Sequence, residues 1–239
     1  MSENRFSTRP LYLQLREALL ERIAAGQWKA GNAIPNEADL ARDFGVSPGT
    51  MRKALDLLEA QRVLTRRQGR GTFINDQNSA EMAQRYNKLR GPDGRPVVVE
   101  PEVGPIGEAA ATEQDVRRLG LEPQARVYRF TRTYFREHRA FMMDEVVVPA
   151  AIFPGLEKQR EVATDVVTLA QRYGLLTGSA AERITTGPAD AIRAGIFNVA
   201  PGAPLLNFDR VVFELNGLPL EWRLGYCHLS SGYYLAALG

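Results

Sequence analysis

Arginine side chains are concentrated between residues 62 and 70, where no acidic residue intervenes. They are Arg62, Arg66, Arg67 and Arg70. A guanidinium group offers a planar set of N–H donors that fits phosphate oxygens, so such a cluster favours a polyanionic partner. A short basic run is more often only a solvated surface. The run therefore suggests nucleic acid without establishing it.

The distribution of charge along the chain points the same way. The 239 residues carry a net charge of only +2. Residues 1–76 hold twelve Lys and Arg against nine Asp and Glu, whereas the remainder holds 18 against 19. The basic excess therefore belongs to the N-terminal third, and the remainder is close to neutral.

Length and composition predict a folded protein of one large or two modest domains. Apolar residues make up 44% of the chain and charged residues 24%, which argues against disorder. The single cysteine, Cys227, excludes an internal disulfide and indicates a reducing compartment. No stretch has the length of a membrane span, and residues 1–10 lack the apolar core of a signal peptide. We expect a cytoplasmic protein with no membrane partner.

The N-terminal third has the pattern of helices joined by short turns. Apolar residues recur at helical spacing over residues 11–25. Asn36 is suited to cap a second helix, which stops near Gly45. Ser47 followed by Pro48 marks the start of a third helix. The short connection between the second and third helices predicts a helix-turn-helix.

The third helix has an apolar face and a polar face. Met51, Ala54, Leu55 and Leu58 line the apolar face. Opposite lie Gly49, Arg52, Lys53 and Asp56, with Ser47 and Thr50 near the helix start. Arg52 can bridge guanine acceptors or phosphates, the two hydroxyls can reach phosphate oxygens, and Gly49 permits close approach. For this helix alone, an ordinary solvated face is the better interpretation.

Residues 63–74 change that balance, because they predict two short strands around a tight turn at Gly69. A basic hairpin directly after a helix-turn-helix is a wing. Its tip, Gln68, Gly69 and Arg70, is slim enough for a minor groove, while Arg66 and Arg67 are placed to meet phosphates.

Residues 35–41, 45–55 and 66–73 closely resemble the winged helix-turn-helix of GntR-family transcription regulators, and the similarity runs ungapped from about Pro10 to Ile74. The resemblance implies that Arg52 contacts bases, that Ser47 and Thr50 contact phosphates and that Gly69 forms the wing tip. Tyr12 lies near phosphate in that family, although a packing role is equally consistent. The predicted DNA-binding residues are Tyr12, Ser47, Gly49, Thr50, Arg52, Lys53, Arg66, Arg67, Gln68, Gly69 and Arg70. Many relatives carry arginine where this chain has Ala38 and Pro48, so a relative's operator sequence is not carried over.

The remaining two-thirds predict a separate α+β domain. We place the first domain at residues 1–76, a polar linker at 77–84 and the second domain at 85–239. Strands are predicted within 96–103, 125–135, 140–148, 205–215 and 218–229, and helices within 112–119, 157–173 and 189–197. Residues 136–139 and the Asn216-Gly217 pair mark hairpin turns. The expected architecture is an antiparallel sheet with helices on one side.

Motifs for enzyme chemistry do not occur in this sequence. It has no phosphate-binding glycine loop, no G-x-S-x-G and no His pair at metal spacing. His138 and His228 are more simply surface-turn or packing residues, and Cys227 is a small core residue. We therefore expect no enzyme activity, no cofactor and no metal.

A polar constellation in the second domain is suited to a small ligand. Its members are Arg132, Tyr134, Asp144, Glu145, Glu221, Arg223 and Tyr226. Arginine takes an anionic group, and the carboxylates take hydroxyl or amine donors. Structural ion pairs would give the same pattern and are slightly favoured by the pattern alone.

Residues 126–155 and 203–226 resemble the UTRA effector-binding domain of the HutC subfamily, and the similarity extends from about Arg85 to the C-terminus. It implies a chorismate-lyase-like fold that binds small metabolites. Tyr134 replaces the second arginine of the family's Arg-x-Arg motif, which makes a phosphosugar less suitable. Arg223 follows the family's Glu221 by two residues. A carboxylate or phosphonate held by Arg132 and Arg223 is therefore our preferred effector.

Together these features predict a homodimeric, ligand-responsive regulator that binds a palindromic double-stranded operator and is released by a small anionic metabolite. Repressors are the more common members of the subfamily that it resembles, so we expect a repressor. Two alternatives stay open at this point. In the first alternative, the second domain is a chorismate-lyase-like enzyme fused to a DNA-binding domain. In the second, it is a module that only dimerises.

Overall fold

The computed structural model describes residues 9–24, 26–29, 31–75, 86–159 and 164–236. Contacts divide the chain into two compact units, Met1–Ser79 and Ala80–Gly239. The predicted linker, residues 77–84, lies outside the described residues, so the domain limits remain a prediction. No helix in the described ranges is both long and apolar enough to span a bilayer.

The N-terminal unit contains helices α1 (Leu11–Ala24), α2 (Glu37–Asp43) and α3 (Pro48–Ala60), and the hairpin strands β1 (Leu64–Arg67) and β2 (Gly71–Ile74). The side chains of Asn36 and Ser47 cap α2 and α3 by accepting first-turn N–H bonds. The buried core residues include Leu15, Leu19, Leu40, Met51, Leu55 and Leu58. The predicted winged helix-turn-helix is confirmed.

Hydrogen bonds on both edges of β2 hold the wing in place. β1 and β2 pair in antiparallel register from Leu64 opposite Ile74 to Arg67 opposite Gly71. On the other edge, Gly31 N–H donates to the Ile74 carbonyl at 2.8 Å, and Ile34 N–H donates to the Thr72 carbonyl at 2.8 Å. The base of the wing is thus tied to the body of the unit, and its tip projects beyond these bonds.

The C-terminal unit is built on an antiparallel sheet. Its described strands are β4 (Glu102–Val103), β5 (Gly107–Ala110), β6 (Arg126–Arg136), β7 (Arg139–Pro149), β8 (Thr177–Pro188), β9 (Pro204–Glu214) and β10 (Pro219–Cys227). They are ordered β4-β6-β7-β10-β9-β8, and β5 also pairs with β6. β3 (Leu89–Arg90) and β11 (Tyr233–Tyr234) form a separate small pair.

Helices α4 (Glu113–Leu119), α5 (Val166–Arg172) and α6 (Ala191–Phe197) cover both faces of this sheet. Leu169 of α5 lies in a cluster with Phe130 and Val146. Leu119 of α4 packs with Val147 on the opposite face, and α6 packs there as well. The prediction of helices on one side is wrong, because both faces of β7 carry buried residues, Val146 on one and Val147 on the other, and both faces need cover.

Several element boundaries differ from the prediction. The predicted helix at 157–173 is reduced to a 3-10 turn at Leu156–Lys158 and to α5, which starts after its cap Asp165; residues 160–163 lie outside the described residues. Within 96–103 the structure has strand only at Glu102–Val103, since Pro96 and Pro101 lack the N–H that a ladder needs. β5 and the exposed edge strand β8 were not predicted.

Candidate nucleic-acid interface and ligand pocket

The exposed start of α3 carries the hydroxyl groups of Ser47 and Thr50. The Ser47 hydroxyl accepts the Thr50 N–H at 3.2 Å, and the two hydroxyl oxygens are 2.8 Å apart. A side chain at Gly49 would meet only the Ser47 oxygen, at 3.9 Å. This small, polar surface at the positive end of a 13-residue helix suits a phosphate.

Arg52 lies one turn further along α3, with 66% of its side chain exposed. Its Nε and Nη2 each lie 3.1 Å from Oε2 of Glu37, a residue in the first turn of α2. The hydrogen bond with Glu37, followed by the charge of Glu37, raises the pKa of the Arg52 guanidinium above its ordinary value. Neighbouring Lys53 is exposed.

Arg66 faces the body of the unit. Its Nη1 lies 2.6 Å from carboxylate oxygens of both Asp56 and Glu59 on α3, and its Nη2 lies 3.4 Å from Glu37. Its backbone N–H also donates to Glu59 at 3.0 Å. These bonds tie the first strand of the wing to α3. A phosphate contact by Arg66 stays a prediction and would compete with these carboxylates.

The wing tip is exposed and lacks such ties in the described structure. Gln68, Gly69 and Arg70 are exposed, and Gly69 adopts φ +70°, with nothing within 4 Å of the position of a side chain. Arg67 lies over the Phe73 ring at 4.7 Å. Tyr12 is half-buried on α1. The surface formed by the start of α3, Arg52 and the wing tip is the candidate nucleic-acid interface.

A cavity of about 380 Å³ lies on one face of the sheet in the C-terminal unit. Strand pairing arranges the residues at and beneath its floor in two rows. Arg132, Asp144, Gly225 and Phe208 follow one another across β6, β7, β10 and β9, and Arg223, Arg210 and Glu182 follow across β10, β9 and β8. Gly225 contributes no side chain to the first row, and the Asp144 carboxylate and the Phe208 ring occupy the space above it. The walls include the apolar residues Leu89, Val97, Phe141 and Met142.

The floor of the cavity holds a network of buried ion pairs. Arg132 Nη1 lies 2.9 Å from Glu221, Arg223 Nη1 lies 2.5 Å from Asp144, and Arg210 Nε lies 2.6 Å from Glu182. Burial lowers the pKa of Arg223, but neighbouring charges, that of Asp144 first, outweigh this effect and raise it.

Tyr134 extends this network at the cavity wall. Burial and then the neighbouring charge of Asp144 raise the pKa of the Tyr134 hydroxyl, which lies 3.1 Å from an oxygen of Asp144. The hydroxyl therefore keeps its proton and donates to this carboxylate. Asp144 is thus held from two sides, by Arg223 and by Tyr134.

Donors on the buried arginines remain unused. Nε and Nη2 of Arg132 and Nε of Arg223 have no hydrogen-bond partner among the described residues. The Arg132 side chain is 2% exposed and that of Arg223 is 10% exposed. A buried charged donor that makes no hydrogen bond costs free energy. These nitrogens would therefore be stabilised by an acceptor bound in the cavity.

The structure brings together five of the seven predicted effector residues: Arg132, Tyr134, Asp144, Glu221 and Arg223. Glu145 and Tyr226 lie on the opposite face of the sheet, a correction that follows from strand alternation. There Arg193 lies 3.0 Å from Glu145 and its guanidinium stacks 3.6 Å from the Tyr226 ring centre.

Three further residues were not predicted from the sequence: Arg210 in the cavity floor, its partner Glu182, and Glu37 beside Arg52. Arg210 lies directly opposite Arg223 in the β9–β10 hairpin, so counting back from the Asn216-Gly217 turn would have found it. Glu182 lies on β8, the strand that was not predicted.

The remaining candidate groups are inert or structural. Burial raises the pKa of the Cys227 thiol to about 12, so it stays protonated. His138 lies in the exposed hairpin turn with φ 63°. Among the described residues, no group of His, Cys, Asp and Glu is arranged to hold a metal ion.

Comparison with family models identifies both units. Residues 11–74 match the model described as bacterial regulatory proteins, gntR family, and residues 97–231 match the UTRA domain. The second match alone covers more than half of the chain.

Individual relatives agree with this assignment. The chain is 32% identical over 152 residues to the mannosyl-D-glycerate transport/metabolism system repressor MngR of Escherichia coli K12, a match covering 63% of each chain. It is 26% identical over 231 residues to a probable fructoselysine utilization operon transcriptional repressor of the same organism, covering 94% of this chain and 93% of that protein. The solved structure of a possible transcriptional regulator, YydK of Bacillus subtilis, has the same fold, with TM-score 0.56 and 17% identity over 97% of this chain and all of the other.

Proposed function

This chain belongs to the GntR family of bacterial transcription regulators and carries a UTRA effector-binding domain, and we propose that it is a repressor of the HutC type. It binds a palindromic operator as a homodimer, in the cytoplasm, and a small anionic metabolite releases it. The family assignment also answers the enzyme alternative, because the matched families and relatives are regulators.

The observation that carries the effector proposal is the set of unused N–H donors on Arg132 and Arg223. They lie in the cavity floor, where a carboxylate or phosphonate can accept from both guanidinium groups. Asp144 and Glu221 already balance part of the positive charge, so a ligand of low negative charge fits better than a highly charged one. The apolar walls suit a carbon skeleton attached to that anionic group.

The DNA contacts follow from the exposed surface of the N-terminal unit. Ser47 and Thr50 take phosphate oxygens, Arg52 takes a base, and the wing tip at Gly69 enters an adjacent groove. Lys53 and Arg70 add phosphate contacts. A single unit offers few contacts, and two units related by a two-fold axis would read two half-sites together.

Release requires that the ligand discriminate between conformations. An effector lowers operator affinity only by the ratio of its affinities for the free and DNA-bound forms. The ion-pair network is suited to this role, because an anionic ligand that accepts a hydrogen bond from Arg132 or Arg223 also changes the electrostatic balance of its ion pair with Glu221 or Asp144.

The effector proposal is tested by thermal unfolding of the full chain with a panel of hydroxy, amino and aromatic carboxylates and phosphonates. A true effector raises the melting temperature and lowers operator affinity. Arg223→Lys keeps the charge but loses the planar fork, so it should abolish both effects. Arg193→Lys, on the opposite face, is the matched control and should retain them. If no anionic compound shifts melting and operator binding is ligand-independent, the domain only dimerises and the effector proposal fails.

A further inference from the structure

We propose that Glu37 is a positioning residue for operator reading, which holds the Arg52 guanidinium so that its outer edge faces a guanine. This inference rests on the proposed base contact of Arg52. Glu37 itself touches no base in this proposal. It acts through the plane and direction that it gives to the Arg52 fork.

The geometry leaves the reading edge of Arg52 free. A guanidinium has five N–H groups, and a carboxylate bound from the side uses the one on Nε and one on Nη2. Glu37 binds in this way, with Oε2 at 3.1 Å from both nitrogens. The two Nη1 hydrogens and the outer Nη2 hydrogen remain. Their edge has the bidentate geometry that matches O6 and N7 of guanine.

Glu37 is itself held in place. It is 28% exposed at its side chain and stands in the first turn of α2, which Asn36 caps. Its other oxygen, Oε1, lies 3.4 Å from Nη2 of Arg66, which in turn is bound to Asp56 and Glu59. One carboxylate therefore connects α2, α3 and the wing, so these three elements together fix the direction of the Arg52 guanidinium.

The sign of the charge distinguishes positioning from simple affinity. A carboxylate at a phosphate-facing surface repels DNA and lowers binding to every sequence. An oriented arginine contributes most binding free energy at the correct base, whereas an unrestrained arginine contributes similar binding free energy at many phosphates. Glu37 thus trades general affinity for discrimination, as specific interfaces do when they include a repulsive group.

The test compares Glu37→Gln with Asp39→Asn in the full chain. Both remove one negative charge from α2, but Asp39 contacts Asn36 and Arg42 and not Arg52. Affinity is measured for a selected operator, for the same duplex with each half-site guanine changed to adenine, and for unrelated DNA. Both variants should bind unrelated DNA more tightly. Glu37→Gln alone should lose roughly three- to tenfold of the preference for one guanine, a part of what a bidentate contact provides.

Two further measurements keep the outcome decisive. Arg52→Ala removes the reading group, and Glu37→Gln added to Arg52→Ala should cause no further loss of preference. Thermal unfolding checks that each variant stays folded. If Arg52→Ala reduces the preference but Glu37→Gln behaves like Asp39→Asn, the positioning role is refuted while the base contact stands. If Arg52→Ala changes nothing, the base contact of the proposed function fails, and the positioning role fails with it.

Discussion

Arg132 and Glu221 form a 2.9 Å ion pair in the sheet, although β7 separates their strands and each side chain is only 2% exposed. Removing two charges from water costs free energy that can exceed their mutual attraction. A buried ion pair is therefore a weak source of stability. Its value here is geometric. Glu221 occupies one nitrogen of Arg132, and the other two have no hydrogen-bond partner among the described residues.

The first prediction concerns this pair. Arg132→Met leaves the buried Glu221 carboxylate without its partner and should destabilise the protein by about 3–5 kcal/mol. The double variant Arg132→Met/Glu221→Leu removes both charges and should recover most of that loss while still failing to respond to the effector. Urea unfolding measures the stability of each variant. Equal losses in the single and double variants would show that the charges are not coupled.

The second prediction concerns Gly225. A side chain there would lie 2.6 Å from Oδ1 of Asp144 and 3.2 Å from the Phe208 ring. Asp144 is held by Arg223 and Tyr134, so it cannot move cheaply, and Gly225→Ala should cost about 1–3 kcal/mol and abolish effector binding. Gly195→Ala in α6 is the control, because its side chain would meet nothing within 4 Å. It should be neutral or slightly stabilising in the same melting experiment. Similar melting of the two variants would contradict this account of the cavity floor.

The N-terminal unit could be predicted almost completely because its signals are local. Caps at Asn36 and Ser47, and the glycine turn at Gly69, each fix an element boundary within a few residues. The charges around Arg52 could not be predicted in the same way. Glu37 and Arg52 are fifteen residues apart and meet only because α2 crosses α3.

The C-terminal unit could be predicted only in part, because its site depends on pairing between distant strands. The local hairpins were predictable, which placed Arg132 and Asp144 on the two strands of one predicted hairpin. β8 has polar and small residues on an exposed edge, which removes the alternation that marks a strand. The adjacent residues Asp144 and Glu145 were both assigned to the site, although alternation in a strand places only one on each face.

The third prediction concerns the wing. Arg70 is exposed at the tip, so Arg70→Ala should reduce the salt dependence of operator binding by about one unit of slope. Arg66 is bound to carboxylates of α3, so Arg66→Ala should mainly lower thermal stability and change the slope less. Titrations of operator over a range of salt concentrations separate the two. A larger change in slope for Arg66→Ala than for Arg70→Ala would show instead that Arg66 is the principal phosphate contact of the wing.

The fourth prediction concerns Cys227. Burial raises its pKa from 9.0 to about 12, so between these values the folded protein keeps a proton that the unfolded chain releases. The contribution of this group to stability is therefore complete below pH 9 and is lost as the pH rises towards 12. At mildly alkaline pH, iodoacetamide should leave Cys227 unmodified in the native protein and alkylate it in concentrated guanidinium chloride. Mass spectrometry measures the extent of alkylation, and fast alkylation of the native protein would contradict the burial of Cys227.

The proposed function depends on the reading of a specific two-fold operator by α3 and the wing. Selection of genomic fragments by the purified full chain, followed by sequencing, tests it most directly, with Arg52→Ala as the matched protein. We expect enrichment of one inverted repeat with a guanine at the same position in each half-site, and loss of the preference for that guanine with Arg52→Ala. Enrichment of unrelated sequences, or an unchanged repeat with Arg52→Ala, would contradict it.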